Sequence, residues 1–482
     1  MEKKSLRANA ILNAIKQSCQ ILFPIISFSY TSHVLGAENI GIYNFSNSIV
    51  GYFGLIAALG ISTYAIREGA QLKDNNKELE DFVTEVFSTN IISTILAYVL
   101  LGVLLLTWNK LKPYRLFIVI QSISMLFFTI GADWVNTLFE DYKYITIRYI
   151  AVQIVSILLL LILVKDSNDL VIYTILKVVA ESGGMIFNWF YIKRYVHLKF
   201  RPRFNFRKHL LPILILFANQ IAVTVYVNSD ITILGVLTDD RQVGIYSTAS
   251  RIYNLVKRLV YSVITVALPR FSYLTAKGDV EKLSKIYRKM SDIAMFIAMP
   301  CMVGLMFESK NILEIMAGSE YVGGSLSLII LCPAIPLVAV SNLCCNCLII
   351  PRRMDMLLLI ATGISAITNI VLNLILIPSF GIIAAAFTTL LGETIVVVAY
   401  LFRTKGMISD WFGVKNFAQV IFGCTIIGGI CLLINHLRIS SGIQLLLAVV
   451  LSILAYLLVM VTIKNPVAFE YSSIIKKIIH RK

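Results

Sequence analysis

The chain has 482 residues, 58% of them hydrophobic and 15% charged. That excludes an ordinary soluble globular protein, in which roughly half the residues are apolar and a quarter charged. The formal net charge of +16 does not point to nucleic acid, because the basic residues lie in short segments between apolar runs rather than on one basic face.

The apolar runs are about 20 residues long, enough at 1.5 Å per residue to cross about 30 Å of hydrocarbon. In chain order they predict fourteen transmembrane spans, at 9–34, 40–65, 83–108, 114–138, 144–164, 169–192, 209–237, 242–268, 288–307, 325–350, 355–377, 381–402, 416–436 and 441–463. With the N-terminus in the cytoplasm, the inner segments carry 31 of the 43 Lys and Arg. The outer segments carry seven, namely Lys110, Lys112, Arg115, Lys165, Arg241, Lys310 and Arg438. This bias predicts a multi-pass plasma-membrane protein with both termini cytoplasmic. Lys3, Lys4 and Arg7 before an apolar stretch have the form of a signal peptide. Lys16 and Gln17 interrupt that stretch and no small-residue cleavage site follows, so it reads as a retained first helix. The basic segment 193–208 and the tail IIKKIIHRK either hold topology or lie along the anionic inner leaflet.

No segment between spans exceeds about 20 residues. A membrane glycosyltransferase or polymerase, the alternative of a different class, would need catalytic carboxylates or histidines on a larger loop. The cavity between helices is then the place for a functional site. All eight cysteines fall in apolar runs. Cys344, Cys345 and Cys347 have no His or carboxylate beside them, so they read as small packing residues rather than as a metal site. Pro24, Pro269, Pro300, Pro333 and Pro336 fall in or at the ends of spans, where they bend helices.

A short repeat organises the spans. GIYNFSNSI, starting at Gly41, and GIYSTASRI, starting at Gly244, each open the second span of a half. Six spans separate them, an even number, so the two copies run in the same direction. This predicts two pseudo-symmetric six-helix lobes around a central cleft, with domains at 1–200 and 201–408. The last two helices and the basic tail, 409–482, form an appended hairpin, read as one wall of a groove for a lipid tail.

Charges within spans are costly and face a cavity or a partner. Five Lys and Arg lie there: Lys16, Lys177, Arg251, Lys257 and Arg258. Arg251 and Arg258 are two helical turns apart and share a face. With Lys257 they predict a cationic strip on the eighth span, and Lys16 adds a charge on the first. Such a strip suits an anionic ligand, since Arg binds phosphate oxygens in pairs and Lys adds a point charge. Lys257 and Arg258 have the alternative of snorkelling to the interface. Asp230 is expected to pair with Arg251 or to hold a coupling cation. Glu393 is a candidate proton or ion carrier, or else a hydrogen-bonded structural acid. Lys177 and Glu181, four residues apart, are expected to pair with each other.

Four stretches resemble a known family. TSHVLGAENIGIYNFSNSIVGYFGLIAALGISTYAIRE (31–68) carries Leu35-Gly36, Gly41-Ile42-Tyr43, Tyr52-Phe53, Leu59-Gly60 and Arg67-Glu68. ADWVNTLFEDYKYITIR (132–148), DITILGVLTDDRQVGIYSTASRIYNLV (230–256) and NIVLNLILIPSFGIIAAAFTTLLGE (369–393) follow, the last with Ala384 where the family usually has Gly. Together they resemble the bacterial polysaccharide repeat-unit flippases, Wzx-type proteins of O-antigen and capsule synthesis, in the multidrug/oligosaccharidyl-lipid/polysaccharide exporter superfamily. The resemblance implies two six-helix lobes, two extra helices and alternating access. It also implies a non-enzymatic transporter that moves an undecaprenyl-diphosphate-linked oligosaccharide between leaflets. Its expected partners are the lipid-linked oligosaccharide, membrane lipids, and the polymerase and glycosyltransferases of the pathway. No phosphate-binding Gly-x-x-x-x-Gly-Lys-Ser/Thr loop occurs. The expected driver is therefore H+, Na+ or the membrane potential, with no cofactor. A drug/cation antiporter and a peptidoglycan-precursor flippase of the same superfamily are the alternatives. The first should have an acidic cavity, and the second is a close cousin.

Overall fold

Glycine marks the bends in the longest apolar segments. Helix α1 (Leu6–Ala58) breaks at Gly36, where φ is 77° and ψ 172°, and α16 (Asp355–Thr404) breaks at Gly381, where φ is 53°. Residues with a Cβ rarely adopt such angles. Each bend falls at an expected boundary between spans. The structure, a computed structural model, describes residues 6–73, 75–201, 206–265, 268–407, 413–437 and 439–470. The basic tail and residues 202–205 of the basic segment lie outside these.

All regular structure among the described residues is helical. Among the described residues, ten helical segments are long and apolar enough to cross a membrane. Two of them, Ile11–Gln71 and Asp355–Thr404, are 61 and 50 residues long and contain the glycine bends. With α9 (Phe206–Leu237) and α10 (Asp240–Thr265), this arrangement accommodates the fourteen expected passes. Large apolar side chains stand exposed on these helices, among them Leu106, Phe402 and Leu433 at 77%, 82% and 73%. Water would not tolerate so much apolar surface, whereas lipid does. This is a multi-pass membrane protein.

The chain forms two compact units, Met1–Gly244 and Ile245–Lys482. The division falls later than residue 200 because α9 packs on α1 in the first unit. Thr232 on α9 donates to Ser48 Oγ at 2.9 Å, and a side chain at Gly235 would strike the Phe45 ring.

In the first unit α1 packs against α3 (Asn76–Thr107), α4 (Arg115–Gly131), α6 (Tyr142–Leu163) and α9. Gly41 and Gly244, the first residues of the two Gly-Ile-Tyr copies, meet there. A Cβ on Gly41 would run into the Asp240 carbonyl, and one on Gly244 would run into the Ala37 carbonyl. Small residues permit such close helix approach. Two breaks interrupt the helices of this unit. Leu59 and Gly60 both have positive φ before α2 (Ile61–Gln71), and Ala132 does so between α4 and α5 (Trp134–Leu138). Around α2 and α5 lies a dense core that includes Tyr64, Phe82, Trp134, Leu138, Ile192 and Val196. His209, fully buried, shares a hydrogen bond of 2.8 Å with the Tyr64 hydroxyl and approaches Glu85 Oε2 at 2.7 Å.

Lys177 and Glu181 do not form the expected ion pair. Lys177 ends α7 (Leu170–Val178), and Glu181 lies in a π turn, Val179–Gly183. The wider turn carries Glu181 away from the position it would hold in an unbroken α-helix.

In the second unit, α12 (Val280–Phe307), α17 (Val414–Asn435) and α18 (Ser441–Thr462) pack together. Tyr456 on α18 donates to the Phe296 carbonyl of α12 at 3.0 Å. Cys344 and Cys347 are buried in a π turn, Cys344–Ile349, where Cys344 Sγ lies 3.7 Å from the Tyr287 hydroxyl.

Candidate functional site

In the first unit, the break before α2 and the break before α5 border one cavity of about 440 Å³. Asn47, Gly51 and Gly54 of α1 line it, with Ser62 of α2, Asn90 of α3, Asp133 and Trp134, and Asn228 of α9. Asp133 is not a free acid. Arg148 Nη2 donates to its Oδ1 at 2.6 Å, and Asn136 Nδ2 approaches the same oxygen at 3.3 Å. Asn136 also donates to Asn188 Oδ1 at 2.5 Å, and Asn188 donates to the Gly131 carbonyl at 2.6 Å. These bonds hold the broken α4–α5 junction in place.

Arg148 reaches Asp133 from α6, whose first turn is capped by the Asp141 side chain accepting the Tyr144 N–H. The Arg148 guanidinium lies 5.3 Å from the Tyr144 ring. Gly184 leaves room for it, since a Cβ there would come within 3.3 Å of Arg148 Nε. Arg148 is buried, and its Nη1 has no hydrogen-bond partner. Lys16 on α1, half-buried, is close enough to interact electrostatically with both Asp133 and Arg148. Two basic side chains thus lie within electrostatic reach of one carboxylate, and Arg148 is the one bonded to it. Asp230, buried on α9, lies within electrostatic reach of the Tyr52 hydroxyl.

In the second unit the eighth-span cations separate into different surroundings. Lys257 Nζ forms an ion pair with Glu393 Oε1. The Tyr253 hydroxyl donates to the same oxygen at 3.4 Å, and Lys257 stands 5.7 and 5.8 Å from the Tyr253 and Tyr261 ring centres. Arg251 is half-buried one and a half turns earlier, and Arg258 is exposed. Two residues considered separately from sequence, Lys257 and Glu393, are thus one pair.

A second cavity, of about 390 Å³, lies between α12, α17 and α18. Its walls are almost wholly apolar, with Pro300, Leu305, Ile427, Val449 and Leu457 among them, and the buried Glu308 contributes to the lining. Glu308 Oε2 accepts from Asn311 at 2.8 Å, while its Oε1 has no partner.

Sequence reasoning missed Arg148. It stands four residues into the fifth span, near enough to the inner end to be counted with the topology-setting charges. Its distance of 15 residues from Asp133, across one helix junction, was the available signal.

Among solved structures, the fold is similar to "Lipid II flippase MurJ, inward closed conformation", with a TM-score of 0.75 and 18% identity, covering 95% of this chain and 100% of that one. It is also similar to an inward-facing multidrug-resistance MATE family transporter of the MOP superfamily, with a TM-score of 0.65 and 15% identity, covering 83% and 98%. The fold is therefore that of the MurJ and MATE membrane transporters. The chain belongs to the polysaccharide biosynthesis protein family, whose model matches residues 6–275. Its relatives include the "Putative O-antigen transporter" of Escherichia coli (strain K12), 24% identical over 70% of this chain and 82% of that protein. The "Capsular polysaccharide biosynthesis protein CapF" of Staphylococcus aureus is 23% identical over 76% of this chain and 91% of that protein.

Proposed function

We propose that this protein moves undecaprenyl-diphosphate-linked oligosaccharide repeat units from the cytoplasmic to the outer leaflet of the plasma membrane by alternating access. The observation that carries the reading is the set of cations at membrane depth, with Lys16 and Arg148 around a single carboxylate and Arg251 on α10. A diphosphate supplies the acceptor oxygens that a guanidinium binds in pairs. The apolar cavity beside α17 and α18 suits a stretch of prenyl chain. The acids that a cation antiporter would use are already engaged, Asp133 with Arg148 and Glu393 with Lys257.

The lipid tail stays in the bilayer while the headgroup crosses. The driving force is an H+ or Na+ gradient, with Asp230 as a candidate carrier, or the membrane potential acting on the diphosphate. Both termini face the cytoplasm, where the glycosyltransferases supply cargo, and the polymerase receives it outside.

The test is reconstitution in liposomes with a radiolabelled undecaprenyl-diphosphate oligosaccharide, reading its appearance in the outer leaflet. Wild type should transport it, and Arg251→Ala and Arg148→Ala should each lose most of the rate. Equal transport by wild type and both variants would overturn the cationic-capture mechanism. Export of cationic dyes without lipid transport would establish an antiporter instead, and faster transport of lipid II would assign the peptidoglycan precursor.

A further inference from the structure

We infer that the end of α8 (Gly184–Tyr191) and the turn that follows it form a binding site for an anionic phospholipid, whose phosphodiester headgroup is held by Lys193 and Arg194. This inference stands apart from the flippase reading, since it concerns a resident lipid at the rim of the first unit and not the cargo.

The exposed face of α8 is apolar and then turns cationic. Phe187 and Phe190 stand 64% and 65% exposed, three residues apart and so on one face. Lys193 and Arg194 follow one turn later, both exposed, at the end of the apolar segment Ser167–Arg194. A ring-bearing face that ends in two cations matches the order of parts in a phospholipid, acyl chains first and phosphate next.

Rings rather than carboxylates hold the two cations. Lys193 Nζ lies 5.9 Å from the centre of the Trp189 ring and 5.3 Å from that of Phe190. The carbon of the Arg194 guanidinium lies 3.5 Å from the centre of the Tyr191 ring. Among the described residues neither cation forms an ion pair, whereas other basic residues of the same segment have acids beside them. Arg201 Nη2 bonds Asp81 Oδ1 at 3.0 Å, and His197 stands 3.9 Å from Glu80. A ring face stabilises a cation without using up its N–H donors. Lys193 and Arg194 therefore keep both charge and donors for phosphate oxygens.

The perch of Arg194 is fixed from beneath. Tyr191 stacks on Tyr144, with ring centres 3.4 Å apart and planes at 5°. The Tyr191 and Tyr195 hydroxyls both donate to Asp141 Oδ2, at 2.6 and 2.7 Å, and Asp141 is buried. Tyr195 stacks in turn on Phe139, with ring centres 4.5 Å apart. A guanidinium laid on a fixed ring has given up rotamer freedom before any ligand arrives, so binding costs less entropy than at an arginine on a free stem. A charge that only sets topology needs no such platform.

The experiment offers full-length protein in detergent equal amounts of phosphatidylglycerol and phosphatidylcholine, with bound lipid read by native mass spectrometry. Wild type should retain the anionic lipid in preference to the zwitterionic one. The double variant Lys193→Gln with Arg194→Gln should bind it about 25-fold more weakly, about fivefold for each surface cation removed. Lys165→Gln with Lys310→Gln removes two exposed cations elsewhere and should leave binding unchanged, with thermal melting showing that both variants fold. Equal retention of the two lipids by wild type overturns the proposal, as does unchanged binding in the folded site variant. An equal loss in the control pair overturns it too, since net charge alone would then set the affinity. Displacement of phosphatidylglycerol by undecaprenyl diphosphate at equal concentration, through the same two residues, would assign the patch to the cargo and also overturn it.

Discussion

Replacing Glu393 with Gln separates two roles for that residue, and the size of the effect follows from its surroundings. The Glu393 side chain is 5% exposed and that of Lys257 15%. Gln keeps the shape and can still accept from the Tyr253 hydroxyl, but it leaves the Lys257 ammonium in an apolar setting without a counter-charge. Removing one partner of a buried pair destabilises by 3–5 kcal/mol. The residual exposure of Lys257 and the nearby faces of Tyr253 and Tyr261 relieve some of that, so about 3 kcal/mol is expected. Replacing both residues, Lys257→Met with Glu393→Leu, removes the uncompensated charge and should return stability to within about 1 kcal/mol of wild type. The assay is thermal melting in detergent of Glu393→Gln and of a double-mutant cycle made of wild type, Lys257→Met, Glu393→Leu and the double variant, alongside transport in liposomes. A Glu393→Gln protein as stable as wild type yet inactive in transport would refute the ion-pair argument and make Glu393 a proton carrier. A double variant as unstable as the sum of the singles would also refute it.

Two further predictions concern the frame. Gly41→Ala should destabilise by about 1–3 kcal/mol because its methyl group meets the Asp240 carbonyl. Gly102→Ala, with nothing within 4 Å of the new Cβ, should be neutral or slightly stabilising by thermal melting. At the start of α12, the Lys282 ammonium and N–H hold the Asp279 carboxyl below its usual range. The stability this adds is present above the unfolded carboxylate pKa and is lost as pH falls through the lower folded value. Hydrogen exchange in the first turn of α12 should therefore accelerate only under acid conditions, and Asp279→Asn, which keeps a capping oxygen, should blunt the response.

Much of the frame was legible because it is written in local signals. Apolar runs give spans, and Gly36 and Gly381 mark their bends. The charges were legible as exceptions, since Lys16, Arg251, Lys257 and Glu393 each interrupt an apolar run. Their partners were not. Lys257 and Glu393 are 136 residues apart, and nothing in either helix alone specifies the other. Arg148 was hidden by its place near a span end, where a basic residue ordinarily snorkels outward. Lys177 and Glu181 misled in the opposite way, since their spacing is right for a pair in an α-helix and the π turn between them changes the register. The first-unit cavity was invisible because Asn47, Ser62, Trp134 and Asn228 come from separate helices and none of them is charged.

The contact between Gly41 and Gly244 couples two positions far apart in the sequence. Each glycine excludes a side chain because of a carbonyl four residues before the other, Asp240 for Gly41 and Ala37 for Gly244. The exclusions are reciprocal, so neither position can grow alone: any shift that opens room at one moves the backbone that the other presses on. Substitutions elsewhere on the two helices can accumulate one at a time, whereas this pair must be kept small together.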